Sequence, residues 1–384
     1  MTWNTSGPTC RQALSHYLDI LSLGDQTPSS SKKEGSGHIY HTDTSSFTNT
    51  ASASPYLSDL DEGEARDAQP PQEDLLEIVS TPDRGQAVFT TRKIKAGTLL
   101  LAERPLIRLQ KHEEDDPEAI AREFSLLSRA DQKVFLKLFD AQKSRMARAA
   151  SIYYSNCYNC DSYVASGQGG SAVGVFASRI NHGCVPNVQF CYDEPSNEMR
   201  FHAIRDIPRG KELCSNYDKA VFEVRSKRQR KQQIYYGFIC RCEACEPKTE
   251  FWARSDERRM AMYDAFKIVQ ACEKEFLSLS ARSGSLDDCE SAAQTVPGVS
   301  RDTADAALGT LVKLEELLLK ECLAGVPLAN TYRSLAKWAE RKRDYAQAVK
   351  WKGKELDVCR LSFGSDALRT KGVQDKMTEL EETG

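Results

Sequence analysis

The nine residues "RINHGCVPN" (179–187) follow the apolar run "VGVFAS" (173–178) and crowd two asparagines, a histidine, a cysteine and a proline into one short segment. A β-branched and aromatic run that stops at Asn-His-Gly, with Pro186 unable to extend a ladder, predicts a strand ending in a turn. Taken singly, a histidine or cysteine of this kind is more often a packed structural residue than a ligand. The meaning of these residues depends on partners supplied elsewhere in the chain.

The strongest such partner is "CRCEAC" (240–245). Cys240, Cys242 and Cys245 put three sulfurs within six residues, enough to converge on one ion, and zinc is the ion such a set favours. A closed tetrahedral site needs a fourth ligand. None stands in the local sequence, and Cys184 of the opening stretch is one candidate among the distant histidines and cysteines. Three cysteines on an exposed turn without a metal would be an oxidation hazard. Cys157 and Cys160 in "CYNC" have no second pair nearby and apolar, aromatic flanks, so they read as structural, as do the scattered Cys10, Cys191, Cys214, Cys272, Cys289, Cys322 and Cys359.

Composition narrows the class. The chain has 384 residues, 40% hydrophobic and 28% charged, long enough for two or three domains with a buried core. No apolar run approaches the ~18 residues of a membrane span. The first twenty residues lack a basic segment followed by an apolar one, so no secretory signal is expected. Thirteen cysteines, an odd number, suit reduced thiols or metal ligands better than a disulfide framework. The net charge of -3 is uneven: residues 1–74 carry eleven acidic against four basic side chains, leaving the rest of the chain mildly basic.

Residues 1–72 read as a disordered, acidic, Ser/Thr-rich region, with a short amphipathic helix at 10–22 carrying Leu14, Leu18 and Leu21 on one face. Order should begin at 73. Two strands, 76–80 and 87–91, flank the turn "TPDRGQ", and a third spans 99–103. Residues 117–149 change to helical spacing through Ile120, Phe124, Leu127, Val134 and Leu138. Strand character returns at "SIYYSN" (151–156), "VGVFAS", "VQFCYD" and "MRFHAIRDI". From 248 to 384 the chain reads as helical, with two helices joined near 341–344. There Tyr332, Leu335, Ala336, Tyr345, Ala348 and Leu356 sit as a tetratricopeptide-type pair would place them. One such unit cannot bury its own face, so helices between 250 and 325 should complete a stack. "RSKRQRK" (225–231) reads as a solvated helical face rather than a nucleic-acid patch. "GQGGSAVG" lacks the βαβ context of a dinucleotide loop.

Taken in order, "DRGQAVFTTRKIKAGTLLLAERP", "RINHGCVPN", "GKELCSNYD" and "YYGFICRCEAC" resemble the SET domain of protein-lysine methyltransferases with its post-SET cysteines. The resemblance covers roughly residues 75–247. The insert and the helical tail are similar to the SET and MYND group, and more so to fungal SET proteins without a MYND finger. What this implies is an α+β fold: a β-rich SET core over 73–247, a helical insert at about 106–172, a post-SET cluster at 238–247, and a tetratricopeptide-like helical domain over 248–384. It implies S-adenosylmethionine held by Arg84, Gly85, Gln86, Asn156, Ser178, Asn181, His182, Tyr217 and Phe238. Zinc would sit on Cys184, Cys240, Cys242 and Cys245, and Tyr217 and Tyr236 would line the lysine channel as catalytic tyrosines.

Such an enzyme would act on an exposed lysine of a histone or another protein, as a monomer in nucleus and cytoplasm, without a membrane or direct nucleic-acid binding. The rival class is a catalytically inactive SET-fold module that recruits partners through its helical tail. A zinc hydrolase is disfavoured, since the cysteine set offers no open position or carboxylate base. Two departures bear on activity. Ala87 replaces the family's second glycine, which would crowd the cofactor if that position needs positive φ, and Gly183 replaces the serine of Asn-His-Ser-Cys.

Overall fold

The computed structural model describes residues 75–141, 146–160, 169–218, 220–283 and 301–383. The expected disordered region and its short helix lie outside them. The described residues begin with the hairpin β1 (Leu76–Thr81) and β2 (Gly85–Thr90), followed by β3 (Leu99–Glu103) and β4 (Ile107–Gln110). Three helices come next: α1 (Pro117–Leu126), α2 (Arg129–Phe135) and α3 (Arg148–Asn156). Then come β5 (Tyr158–Asn159), β6 (Gly170–Val173), a 3-10 turn at Ala177–Arg179, β7 (Asn181–His182), β8 (Val188–Asp193), β9 (Glu198–Ala203) and β10 (Cys214–Ser215). All later elements among the described residues are helical: α4 (Arg225–Tyr236), α5 (Glu250–Ala253), α6 (Ser255–Ser283), α7 (Arg301–Lys320), α8 (Val326–Arg341), α9 (Tyr345–Phe363) and α10 (Leu368–Thr383).

Among the described residues these strands form four small sheets: β1-β2, β3-β9-β8, β4-β6-β5, and the parallel pair β10-β7. The first turn closes because Gly85 takes φ +66° while the Thr81 hydroxyl accepts from the Arg84 N–H at 3.1 Å. Ala87 lies inside β2, fully buried and opposite Val79, and it is not among the positive-φ residues. The conditional objection to Ala87 therefore falls. Leu100, Leu101, Ile180, Met199 and Phe201 form the buried centre of this half.

Two strand expectations fail. Residues 151–156 form the end of α3, where Ile152 and Tyr153 are fully buried and the Tyr153 hydroxyl donates to Ser171 O at 3.0 Å. Packing on both faces of the helix overrides the β propensity of Ile-Tyr-Tyr. The run "VGVFAS" is strand only to Val173. The buried Glu103 carboxylate accepts the backbone N–H groups of Phe176 and Ala177, each at 2.8 Å, and so turns the chain into the 3-10 helix. Burial nonetheless pushes that carboxyl above its ordinary range, against those same hydrogen bonds.

In the helical C-terminal region the joint between α8 and α9 falls at 342–344, as the sequence predicts, with Asp344 capping α9 through Gln347 N–H at 3.1 Å. The region docks on the β3-β9-β8 sheet: Arg200 of β9 pairs with Asp366 at 2.9 Å, and Gly97 faces Leu361. Trp338 is fully buried in the helical core beside Phe276, and its indole N–H has no hydrogen-bond partner. Trp338→Ala should therefore cost about 3–5 kcal/mol through packing alone, while Trp338→Phe should retain most of the stability. Urea titration of both variants checks this.

Candidate active site

Arg179 through Asn187 thread between β10 and the cysteine cluster, and hydrogen bonds hold that path. The parallel pairing sets Asn181 against Cys214 and His182 against Ser215. The buried Asn187 extends it with its side chain, donating to Glu212 O at 2.8 Å and accepting from Cys214 N–H at 2.8 Å. This is how an Asn just past Pro186 keeps the chain in register without strand geometry.

Gly183 explains itself here. A Cβ at this position would stand 2.9 Å from the Cys214 Cβ, closer than real side chains approach. The glycine is thus the packing partner of Cys214. Gly183→Ser should destabilise the fold by about 1–3 kcal/mol. A double variant with Cys214→Gly should recover part of that loss in a denaturation cycle. Purely additive effects of the two changes would refute the pairing.

Four aromatic rings close a circuit beside this loop. Tyr217 lies 5.3 Å from His182 and 5.1 Å from Tyr236, and Phe238 lies 6.4 Å from Tyr236 and 6.0 Å from His182. The Tyr217 hydroxyl donates to Ile180 O at 2.8 Å, so its oxygen lone pairs stay available to a neighbour. Burial pushes that phenol well above its ordinary value, so it remains neutral at physiological pH. His182 is buried and held down to about 4 by that burial. Its Nδ1 accepts from Tyr217 N–H at 3.1 Å, so the proton sits on Nε2, 3.4 Å from Cys184 Sγ.

The first turn joins the same place. Arg84 donates to His182 O at 2.9 Å, and Asn181 Nδ2 reaches Gln86 O at 3.3 Å. Gly85 opens onto free space. Glu212 ties these residues together, with its carboxylate 2.6 Å from Arg84 Nη1 and 2.9 Å from Asn181 Nδ2. Sequence reading missed Glu212, although it stands in the motif "GKEL". It also missed Tyr158, whose hydroxyl donates to Ala177 O at 3.2 Å and whose phenol is likewise raised by burial. Asn156 and Ser178 are spent locally. The Asn156 amide donates to Phe139 O and Ile152 O at 2.7 and 2.6 Å, leaving only its carbonyl oxygen, and the Ser178 hydroxyl donates to Gly174 O.

The sulfurs of Cys184, Cys240, Cys242 and Cys245 all lie within 4.8 Å of one another, with Cys184 at 3.8 Å from Cys240 and 3.6 Å from Cys245. A disulfide needs about 2.05 Å, whereas a tetrahedron of Zn–S bonds of about 2.3 Å spaces its sulfurs at about 3.8 Å. The donor set fits a closed structural zinc. Cys160, by contrast, is buried in the β-sheet core, as a structural cysteine would be.

"RSKRQRK" departs from a solvated face at Arg228. That residue is 4% exposed and donates to Ala244 O at 3.0 Å beside Cys245 Sγ, while Lys231 pairs with Asp218 and Glu223 at 3.1 and 2.8 Å. The spacing of basic residues cannot reveal a partner that the fold delivers from the cysteine loop.

Residues 85–218 match the SET domain family. The chain is 30% identical over 198 residues to histone-lysine N-methyltransferase set5 of Schizosaccharomyces pombe, covering 51% of this chain and 59% of that protein. It is 28% identical over 169 residues to histone-lysine N-methyltransferase SMYD1 of Homo sapiens, covering 40% of this chain and 33% of that protein. It is 33% identical over 78 residues to protein-lysine N-trimethyltransferase SMYD5 of Danio rerio, covering 20% and 19%. The chain thus spans less than two thirds of the length of each of these relatives. It carries a SET domain, homologous to those of the fungal set5 and SMYD-type lysine methyltransferases.

Proposed function

We propose that the protein is an S-adenosylmethionine-dependent protein-lysine N-methyltransferase. The observation that carries the reading is the aromatic circuit of Tyr217, Tyr236, Phe238 and His182, closed beside Arg84, Gly85 and Asn181. Electron-rich ring faces suit a cationic sulfonium and an alkylammonium. The polar groups at its side suit the amino-acid end of the cofactor. When bound, the cofactor would supply a methyl carbon on a sulfonium, which a neutral lysine amine attacks in line as the sulfur leaves as a neutral thioether.

This chain's residues do the rest. A free lysine has a pKa near ~10.4, and desolvation among these rings beside a cation lowers it. Tyr217, neutral and fixed by Ile180 O, orients the amine rather than deprotonating it. Tyr236 walls the channel, and Glu212 holds Arg84 and Asn181 in place. Asn156 remains assigned to the cofactor through its side-chain oxygen, and Ser178, whose hydroxyl and N–H both donate to Gly174 O, through its place just before the Asn181-His182 pair. Zinc on the four cysteines fastens the post-SET segment, and the helical C-terminal region forms a tetratricopeptide-like wall for a protein substrate. Two relatives are named as acting on histone lysine and a third on protein lysine. Histones are therefore the first substrates to try, with action in nucleus and cytoplasm by a monomer. Among the described residues no helix is long and apolar enough to cross a membrane.

The test is incubation with labelled S-adenosylmethionine, core histones and a cell extract, with labelled lysines located by mass spectrometry. Asn181→Ala should weaken cofactor binding and abolish labelling. Cofactor binding without labelled lysine in any sample would favour the inactive interaction module instead.

A further inference from the structure

We infer that the first turn of α6 completes the metal site, with Arg259 and Arg228 serving as the buried counter-charge of a metal tetrathiolate, so that metal binding and docking of this turn are one equilibrium. The inference rests on the metal reading of the four cysteines. Arg259 has no exposed side-chain surface. Its guanidinium donates to Cys184 O at 3.0 Å, to Val221 O and to Glu321 Oε1 at 2.9 Å, so one helical residue clamps the backbone of a ligand, the chain after Tyr217, and the end of α7. Arg228 approaches from the other side, with Nη2 at 3.0 Å from Ala244 O and 3.6 Å from Cys245 Sγ. Its Nη1 reaches Asp256 at 3.3 Å, in the same first turn of α6.

The charges do not balance among these side chains. Arg228, Arg258 and Arg259 are 5%, 13% and 0% exposed; Glu321, 0% exposed, is the fully buried carboxylate that Arg258 and Arg259 share, while Arg228 pairs with Asp256. Asp256 is 37% exposed and largely compensated by water. Buried charge without a partner is costly, and an excess of about two positive charges is what four thiolates around a divalent cation would offset. Groups around the ligands of a metal site typically change its affinity by about 10–100-fold. Without the cation, the guanidinium groups lose their counterpart and the turn that carries Arg259 loses its reason to stay docked.

The experiment uses the full chain, loaded with zinc and verified by elemental analysis. Zinc release to excess chromophoric chelator is followed for wild type, Arg259→Lys and Arg259→Met. Release should be about tenfold or more faster in Arg259→Met, with Arg259→Lys between. On wild type, amide hydrogen exchange is compared before and after chelation. Protection at residues 255–263 should be lost, while that of β8, β9 and α9 persists. This second measurement stands even if Arg259→Met fails to fold. Unchanged protection at 255–263 after the metal is gone overturns the inference while leaving the zinc site intact. A reduced wild-type chain that never takes up zinc overturns the metal reading itself, which elemental analysis alone reveals.

Discussion

Tyr217→Phe should cut methyl transfer by about 10²-fold or more while leaving the affinity for S-adenosylmethionine nearly unchanged. The hydroxyl donates its proton to Ile180 O at 2.8 Å, so its oxygen is aimed by the backbone before any substrate arrives. Such a preorganised acceptor acts on the amine and the transferring methyl, whose geometry tightens only on the way to the transition state. Removing one oxygen leaves the ring in place 5.3 Å from His182 and 5.1 Å from Tyr236, so the walls of the pocket survive. The neutral phenol also predicts that no ionisation of Tyr217 shapes the pH profile, because burial keeps it above the accessible range. Calorimetric titration of the cofactor beside a transfer assay separates the two quantities. A variant that loses affinity in proportion to turnover would make Tyr217 a packing residue.

Much of this site is legible in the chain because its residues fall in four ordered motifs whose local chemistry is distinctive. The first turn around Gly85, the Asn181-His182 pair, Tyr217 and the cysteine triplet all stand in those motifs. What escaped depends on contacts across long sequence separations. Glu212 is one acidic residue among 55 acids, and it acquires meaning only when the fold sets it between Arg84 and Asn181. Arg228 looks like part of a basic run until Ala244 and Cys245 cover it. Gly183 reads as a deviation until Cys214 is found against it. Helix α3 is hidden from periodicity, which assumes one wet face, because residues 150–153 are all buried.

The purified chain should carry about one zinc, and Cys242→Ser should abolish both metal retention and activity. The four sulfurs already lie within 4.8 Å of one another, with Cys184 3.8 Å from Cys240 and 3.6 Å from Cys245, and no disulfide competes for them. Binding free energies of structural zinc sites are on the order of 10 kcal/mol, comparable to the roughly 5–15 kcal/mol that hold a whole domain folded. A three-sulfur remnant therefore cannot keep the post-SET segment closed. The consequence reaches the site because Phe238 stands two residues before Cys240, and Tyr236 four before it. Releasing the loop opens the aromatic circuit from that side. Cofactor affinity should fall together with turnover in Cys242→Ser, unlike the split expected for Tyr217→Phe. Cys157→Ser, outside the cluster, serves as the control and should keep its zinc. Elemental analysis, cofactor titration and a thermal melt of the two variants decide the matter. A Cys242→Ser protein with full cofactor affinity would show that the metal does not support the site.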